Sequence, residues 1–237
     1  MTKIIAMIPA RLGSQRIPKK NIRLINGKPL ITYVIETAIK TGIFHDIYVN
    51  TESDIIGEIA IKTGAKFYKR PEEHATNNSS NDDFTNDFVK NVDGDILIQI
   101  LPTSPLLTER DLTSFVNQMM ENEFDTMVSV VKHQIACVYD GKPVNFKLLE
   151  PHISSQLMKP VYSYATALMG WTYKSFKDNM NRFGYTYHGA DGKIGYFTLE
   201  GLSEIDIDEE DDFELAENAL QYRHNQKHYK IEYYGEQ

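Results

Sequence analysis

Two stretches of this 237-residue chain hold residue types suited to phosphate and metal chemistry. The first lies between Ala10 and Ile25, directly after an apolar run, and carries Arg11, Arg16, Lys19 and Lys20 with Gly13, Ser14 and Pro18 among them. Bases neutralise phosphate oxygens and small residues let backbone N–H groups approach an anion, so this stretch is equipped to hold a polyphosphate. It is no P-loop, because the Gly-x4-Gly-Lys-Ser/Thr spacing is absent, and it lacks the second and third glycines of a dinucleotide fingerprint. A solvated basic loop has the same composition. Loops of this length are uncommon in compact domains without a function, which favours phosphate binding.

The counterpart lies near the other end, where residues 200 to 217 contain ten acids and no base. In Glu204-Ile205-Asp206-Ile207-Asp208 the alternation points Asp206 and Asp208 to one face at strand-end spacing and the two isoleucines to the other. Such a carboxylate pair suits a hard divalent ion such as Mg²⁺, which keeps several waters and takes a nucleotide's phosphates as remaining ligands. Glu209 to Asp212 have a plainer reading as an acidic first helical turn, favoured by the macrodipole.

The elements that must position these residues follow an alternating rhythm. KIIAMI is a β-branched apolar run expected of a strand buried on both faces of a parallel sheet. After the basic loop, Lys28-Pro29 opens a helical pattern (Leu30, Val34, Ile35, Ala38, Ile39), with Pro29 in its first turn. DIYVNT reads as a strand, SDIIGEIAIKTG as a helix ending at Gly64, and AKFYKR and DILIQIL as strands, with Thr108 capping the helix DLTSFVNQMMEN. This alternation implies an α/β fold, a mostly parallel sheet with helices on both faces and ligands outside the carboxyl ends of the strands. From about Asp125 the period shortens to two: TMVSVVKH, YATALMGWTY and GKIGYFTLE read as strands, and CVYDGKPVNFKLL turns at Asp140-Gly141. Helix returns in DDFELAENALQYRHN. Without repeats or linkers, residues 1–237 read as one domain, with the hairpin region an excursion from it.

The net charge of −8 argues against a uniformly basic nucleic-acid binder. It also hides an asymmetry, since the first fifty residues hold eight bases against two acids. The single cysteine, Cys137, excludes an intramolecular disulfide and fits a reducing compartment. No apolar run approaches the ~18 residues of a membrane span and the N-terminal one is too short for a signal peptide, so a cytoplasmic protein with no membrane partner is expected.

Four ordered segments across nearly the whole chain resemble the cytidylyltransferases that activate 2-keto-3-deoxy sugar acids, in particular the CMP-acylneuraminate synthetases. IPARLGSQRIPKKN resembles the family's N-terminal nucleotide motif, KRPEEHATNNSSND its segment around the base pocket, ILPTSPLLTERDL its PTSP motif and EIDIDEEDDFELAE its C-terminal metal motif. The resemblance implies a Rossmann-like fold, a homodimer joined through a small excursion at 137–164, and a reaction of CTP with a nonulosonic acid that gives the CMP-sugar and pyrophosphate. By position it implies Arg11, Ser14, Lys20 and Asn21 at the triphosphate and ribose, Arg70, Ser79 and Asn81 at the cytosine, and Asp206 and Asp208 on Mg²⁺. Arg11, Lys20, Asp206 and Asp208 then carry the catalysis.

The chain departs from the family pattern at the sugar. Leu101 stands where a Gln precedes the PTSP motif, with Gln99 two residues earlier on the same strand face. Ser155 stands in the place of an arginine before Gln156, and YSYATALMG replaces the expected ENGAIY. Gln99, Gln156 and Tyr164 are the expected acceptor contacts, Tyr164 as one of several rings able to stack on a sugar face. A cytidylyltransferase for Kdo or another keto-deoxy acid, and a catalytically silent nucleotide-binding scaffold, remain the rival readings.

Overall fold

The computed structural model describes residues 2–225. The first strand, β1 (Ile4–Pro9), is buried along all but its last residue. The basic loop then passes through a 3-10 turn at Lys20–Ile22 into a small ribbon of β2 (Leu24–Ile25) and β3 (Lys28–Pro29), followed by α1 (Leu30–Thr41). Pro29 pairs with Leu24 in that ribbon, so its backbone is extended (φ −55°, ψ 137°) and it precedes the helix rather than entering the first turn.

Next come β4 (Asp46–Thr51), α2 (Asp54–Thr63) and β5 (Lys66–Lys69), and Gly64 stops α2 in the left-handed conformation (φ 103°). They are followed by α3 (Asn81–Asn91), β6 (Ile96–Ile100), α4 (Glu109–Glu121) and β7 (Thr126–His133). Thr108 caps α4 in a reciprocal box with Asp111, as its sequence position implies. A hairpin of β8 (Val138–Tyr139) and β9 (Lys142–Pro143) turns at Asp140-Gly141, both at positive φ. The chain ends in β10 (Val161–Thr172), α5 (Tyr173–Phe183), β11 (Ile194–Leu199) and α6 (Glu210–His224).

Seven strands form one sheet in the order β11-β7-β10-β6-β1-β4-β5. Only the two pairings made by β10 are antiparallel. The chain runs outward from β1 through β4 to β5, then crosses to β6 on the other side of β1. That reversal opens a crevice at the carboxyl ends of β1 and β6, where the basic loop and Pro102 begin. Val161 to Tyr164 pair with β7, so the last residues of the expected 137–164 excursion belong to the central sheet.

Three apolar clusters hold the layers together. One face of the sheet buries Ile8, Ile98 and Phe115 with α1 and α4, and the other buries Met7, Phe88, Trp171 and Phe176 with α3 and α5. The third, smaller cluster joins Ile17 of the basic loop to Ile207 of the acidic run, over Leu30 and Phe213. Both isoleucines are fully buried, so apolar packing brings together two stretches far apart in sequence. Ile207→Ala is expected to cost about 2–5 kcal/mol, read from the urea midpoint, because a cavity would open in this cluster.

Helices α3 and α5 were not legible in the sequence pattern. The first, NDDFTNDFVKN, is rich in poor helix formers and depends on a capping box at Ser80 and on burial of Phe88 and Val89. The second begins directly from β10 at Tyr173, with Thr172 as its cap, so no loop separates strand from helix.

Candidate active site

A cleft of about 390 Å³ opens at the carboxyl ends of β1 and β6, lined by Arg11, Ser14, Arg16, Lys20, Asn21, Arg70, Asn81 and Gln99, among others. Roomier cavities of about 620 Å³ between α1 and α6, and about 820 Å³ within 144–161, contain none of these residues. Residue chemistry, rather than cavity size, marks the site.

Short hydrogen bonds shape the basic loop. Glu52 accepts from the Leu12 N–H at 2.7 Å, and the Asn21 amide donates to the Arg11 carbonyl at 3.0 Å. Arg11 itself donates to Asn77 at 2.7 Å. Arg70 is buried and held by Asn50, through the side-chain oxygen at 2.7 Å and the carbonyl at 2.8 Å, with its guanidinium over the Phe84 ring, 4.3 Å from the centroid. Burial lowers its pKa to about 10, which leaves it charged at neutral pH.

Lys20 joins the two charged stretches. It is buried, donates to the Ile207 carbonyl and lies 3.8 Å from the Asp208 carboxylate. Burial pushes its pKa down, while Asp208 and Asp206 push it back up. Asp208 also accepts from Arg16. Burial pushes the Asp206 carboxyl above the usual range, opposed by a hydrogen bond from Thr103 and by the charge of Lys20. Residues 205–208 follow a 3-10 turn and form no sheet strand, a correction to the strand-end placement. The alternation still holds, because Ile207 is anchored inward and its N–H donates to the Thr103 carbonyl at 2.9 Å. Asp212 accepts the N–H groups of Asp208 and Glu209, which makes the acids after Asp208 the first turn of α6.

The pair meets the test for a hard divalent ion. Asp206 Oδ1 is buried with no hydrogen-bond partner among the described residues, and Asp208 shares the same cation, Lys20. No group of three or more metal-binding side chains occurs among the described residues, so an ion here would draw its other ligands from water and phosphate.

Of the residues expected at the nucleotide, Arg11, Ser14, Lys20, Asn21, Arg70 and Asn81 share the cleft. Ser79 does not line it, and its hydroxyl is buried without a partner among the described residues. Gln99 lines the floor, but two of the expected acceptor contacts lie elsewhere within the chain. Gln156 sits in the exposed turn Ser155–Leu157, where its carbonyl accepts from Gln134, because the segment after β7 swings away from the cleft. Tyr164 lies on β10 beyond an irregularity in its register with β7, facing His188 at 5.5 Å and Tyr196 at 6.5 Å. Sequence reading missed Thr85, Phe84 and Thr103, since all three depend on how α3 and the turn after β6 pack.

A mostly parallel sheet with a basic loop after its first strand, joined through Lys20 to a carboxylate pair, defines an α/β protein whose site chemistry suits a phosphorylated ligand. The cytidylyltransferase family model matches residues 5–235, and the chain belongs to that family. It is 30% identical to the N-acylneuraminate cytidylyltransferase of Escherichia coli O18:K1:H7 (strain RS218 / NMEC) over 95% of this chain and 54% of that protein. A 64-residue segment, 27% of this chain and 28% of the relative, is 52% identical to the pseudaminic acid cytidylyltransferase of Campylobacter jejuni subsp. jejuni serotype O:23/36 (strain 81-176). The chain spans about half the length, or less, of the first curated relatives it matches. Among solved structures, a CMP:2-keto-3-deoxy-manno-octonic acid synthetase complexed with CTP superposes with a TM-score of 0.71 at 16% identity, over 94% of this chain and all of that one. A cytidylyltransferase from Leptospira borgpetersenii aligns at 0.62, also at 16% identity, over 94% of this chain and 88% of that one. At that identity the likeness speaks to the fold. No described helix is long and apolar enough to cross a membrane.

Proposed function

We propose that the chain transfers the cytidylyl group of CTP to a 2-keto-3-deoxy sugar acid of the sialic or a related nonulosonic type, giving the CMP-sugar and pyrophosphate. The observation that carries this is the meeting of the basic loop and the Asp206/Asp208 pair at Lys20, a residue that lines the cleft although the two carboxylates themselves do not. The names of these relatives support both the cytidylyl group and the acceptor class.

In this reaction the anomeric hydroxyl oxygen bonds to the α-phosphorus as the bond to the bridging oxygen of pyrophosphate breaks, and the hydroxyl proton leaves to solvent. The residues align the groups and stabilise spreading negative charge. Arg11 and Lys20 face the leaving phosphates, Ser14 and Asn21 hold the loop against the triphosphate and ribose, and Arg70 and Asn81, with Ser79 behind them, meet the cytosine. Gln99 borders the acceptor. Mg²⁺ held by Asp206 and Asp208 would neutralise phosphate oxygens and lower the pKa of the attacking hydroxyl.

The same proposal includes a homodimer formed through the segment after β7. Leu148, Leu149 and Leu157 are exposed there, and Leu149 is entirely so, an apolar cluster that a second copy would cover. Gln156 and Tyr164 reach an acceptor only if that partner brings them to a cleft. The same proposal puts the enzyme in the cytoplasm, a reading supported by its use of CTP.

The test is pyrophosphate release from CTP with a panel of acceptors that includes N-acetylneuraminate, pseudaminate and Kdo, with ATP, GTP and UTP as controls. Release that needs Mg²⁺, CTP and a nonulosonic acid is expected. Release with Kdo alone would move the acceptor to the rival class, and no release with any acceptor would leave the silent scaffold.

A further inference from the structure

We infer that the Thr85 hydroxyl couples two cleft amides, Asn81 and Gln99, so that the atoms they turn toward the ligands have opposite hydrogen-bonding character. The inference rests on the reading that this cleft takes CTP and an acceptor together. Thr85 lies on α3 and is fully buried, as is Gln99. Its Oγ1 is 3.2 Å from Asn81 Oδ1 and 3.4 Å from Gln99 Oε1. Asn81 and Gln99 both line the cleft, and Gln99 Nε2 is buried with no partner among the described residues.

A hydroxyl has one proton and cannot donate to two carbonyl oxygens at once. The oxygen and nitrogen of a side-chain amide are alike in shape, so the hydrogen-bond network decides which way each amide faces. Two arrangements satisfy all three groups. In one, the Gln99 amide donates to Thr85, which donates to Asn81, and Gln99 offers its oxygen to the cleft while Asn81 offers its NH2. In the other, Asn81 donates to Thr85, which donates to Gln99, and Gln99 offers its NH2 while Asn81 offers its oxygen. One amide is always a donor and its companion an acceptor, and turning one over turns the other.

A fully buried amide atom left without a protein partner at a cleft wall points to a ligand group, because leaving it unpaired carries a desolvation penalty. Asn81 stands beside Phe84 and Arg70, while Gln99 stands at the end of β6 beside Leu101. Thr85 is thus a positioning residue that ties recognition on the nucleotide side to recognition on the acceptor side. A nucleotide that fixes Asn81 also fixes what Gln99 presents to the hydroxyls of the acceptor.

The test compares Thr85→Val, which keeps the shape and removes the hydroxyl, with Thr85→Ser, which restores it. Loss of one well-placed hydrogen bond corresponds to about a 5- to 10-fold effect, so Thr85→Val is expected to raise both the calorimetric Kd for CTP and the KM for the acceptor by that factor. Its kcat should change less than about twofold, and Thr85→Ser should return both constants to near wild type. Wild-type constants in Thr85→Val, with only a lowered thermal midpoint, would overturn the coupling. A double-mutant cycle of Asn81→Ala and Gln99→Ala on CTP binding keeps the inference testable if Thr85→Val does not fold: non-additivity of about threefold or more is expected, and additive effects overturn it. Wild-type protein that binds no CTP overturns the proposed function together with the coupling, whereas CTP binding that is indifferent to Thr85 overturns the coupling alone.

Discussion

Asp208→Asn is expected to lower Mg²⁺-dependent cytidylyl transfer by about 10²- to 10³-fold, the scale of losing one group preorganised toward charge that develops in the transition state. Asp208 is half-exposed, shares Lys20 with Asp206 and is paired with Arg16. The amide keeps the shape and removes the charge that a divalent ion needs. Stability should change little, because an ion pair this exposed contributes about 0–1 kcal/mol. Pyrophosphate release titrated with Mg²⁺, beside a thermal melt, separates the two effects. Wild-type turnover at saturating Mg²⁺ would contradict the assignment.

Lys20→Met should damage both the site and the fold. The ammonium is buried, donates to the Ile207 carbonyl and faces two carboxylates. Methionine fills similar volume but leaves Asp206, already pushed toward its neutral form by burial, without its buried counter-charge. Removing one partner from a buried charge pair is typically costly, about 3–5 kcal/mol, so the thermal midpoint should fall clearly. Loss of a cation at the leaving phosphates should also weaken CTP binding and lower kcat by about 10²-fold or more. Lys20→Arg is not expected to rescue, because a planar fork does not replace a compact ammonium on one buried carbonyl. Full turnover in Lys20→Met, measured below its melting temperature, would contradict the role.

The parts of the fold legible in the sequence are those encoded locally. The run Ile4 to Ile8, the stop at Gly64 and the cap at Thr108 follow from side-chain type and backbone preference within a few residues, and each appears where expected. Helices α3 and α5 were hidden, because one is poor in helix formers and the other starts without a break from a strand. The site followed the same division. Arg11, Lys20, Asp206 and Asp208 stand out in the sequence as segregated charge, and burial of Ile17 with Ile207 accounts for how Lys20 meets the two carboxylates. Gln156 and Tyr164 were not placed at the cleft, since their positions depend on long-range register and on the exposed segment between β7 and β10. Thr85 carries no sequence signal of its own. Only the packing of α3 on β6 sets it between two amides.

Following the α-phosphate itself tests the central claim most directly. With CTP labelled at the α-phosphorus, Mg²⁺ and a nonulosonic acid, the label is expected to move into a CMP-sugar acid while unlabelled pyrophosphate is released in equal amount. Label that remains in CTP, or that appears as free CMP at the same rate without an acceptor, would contradict cytidylyl transfer by this cleft.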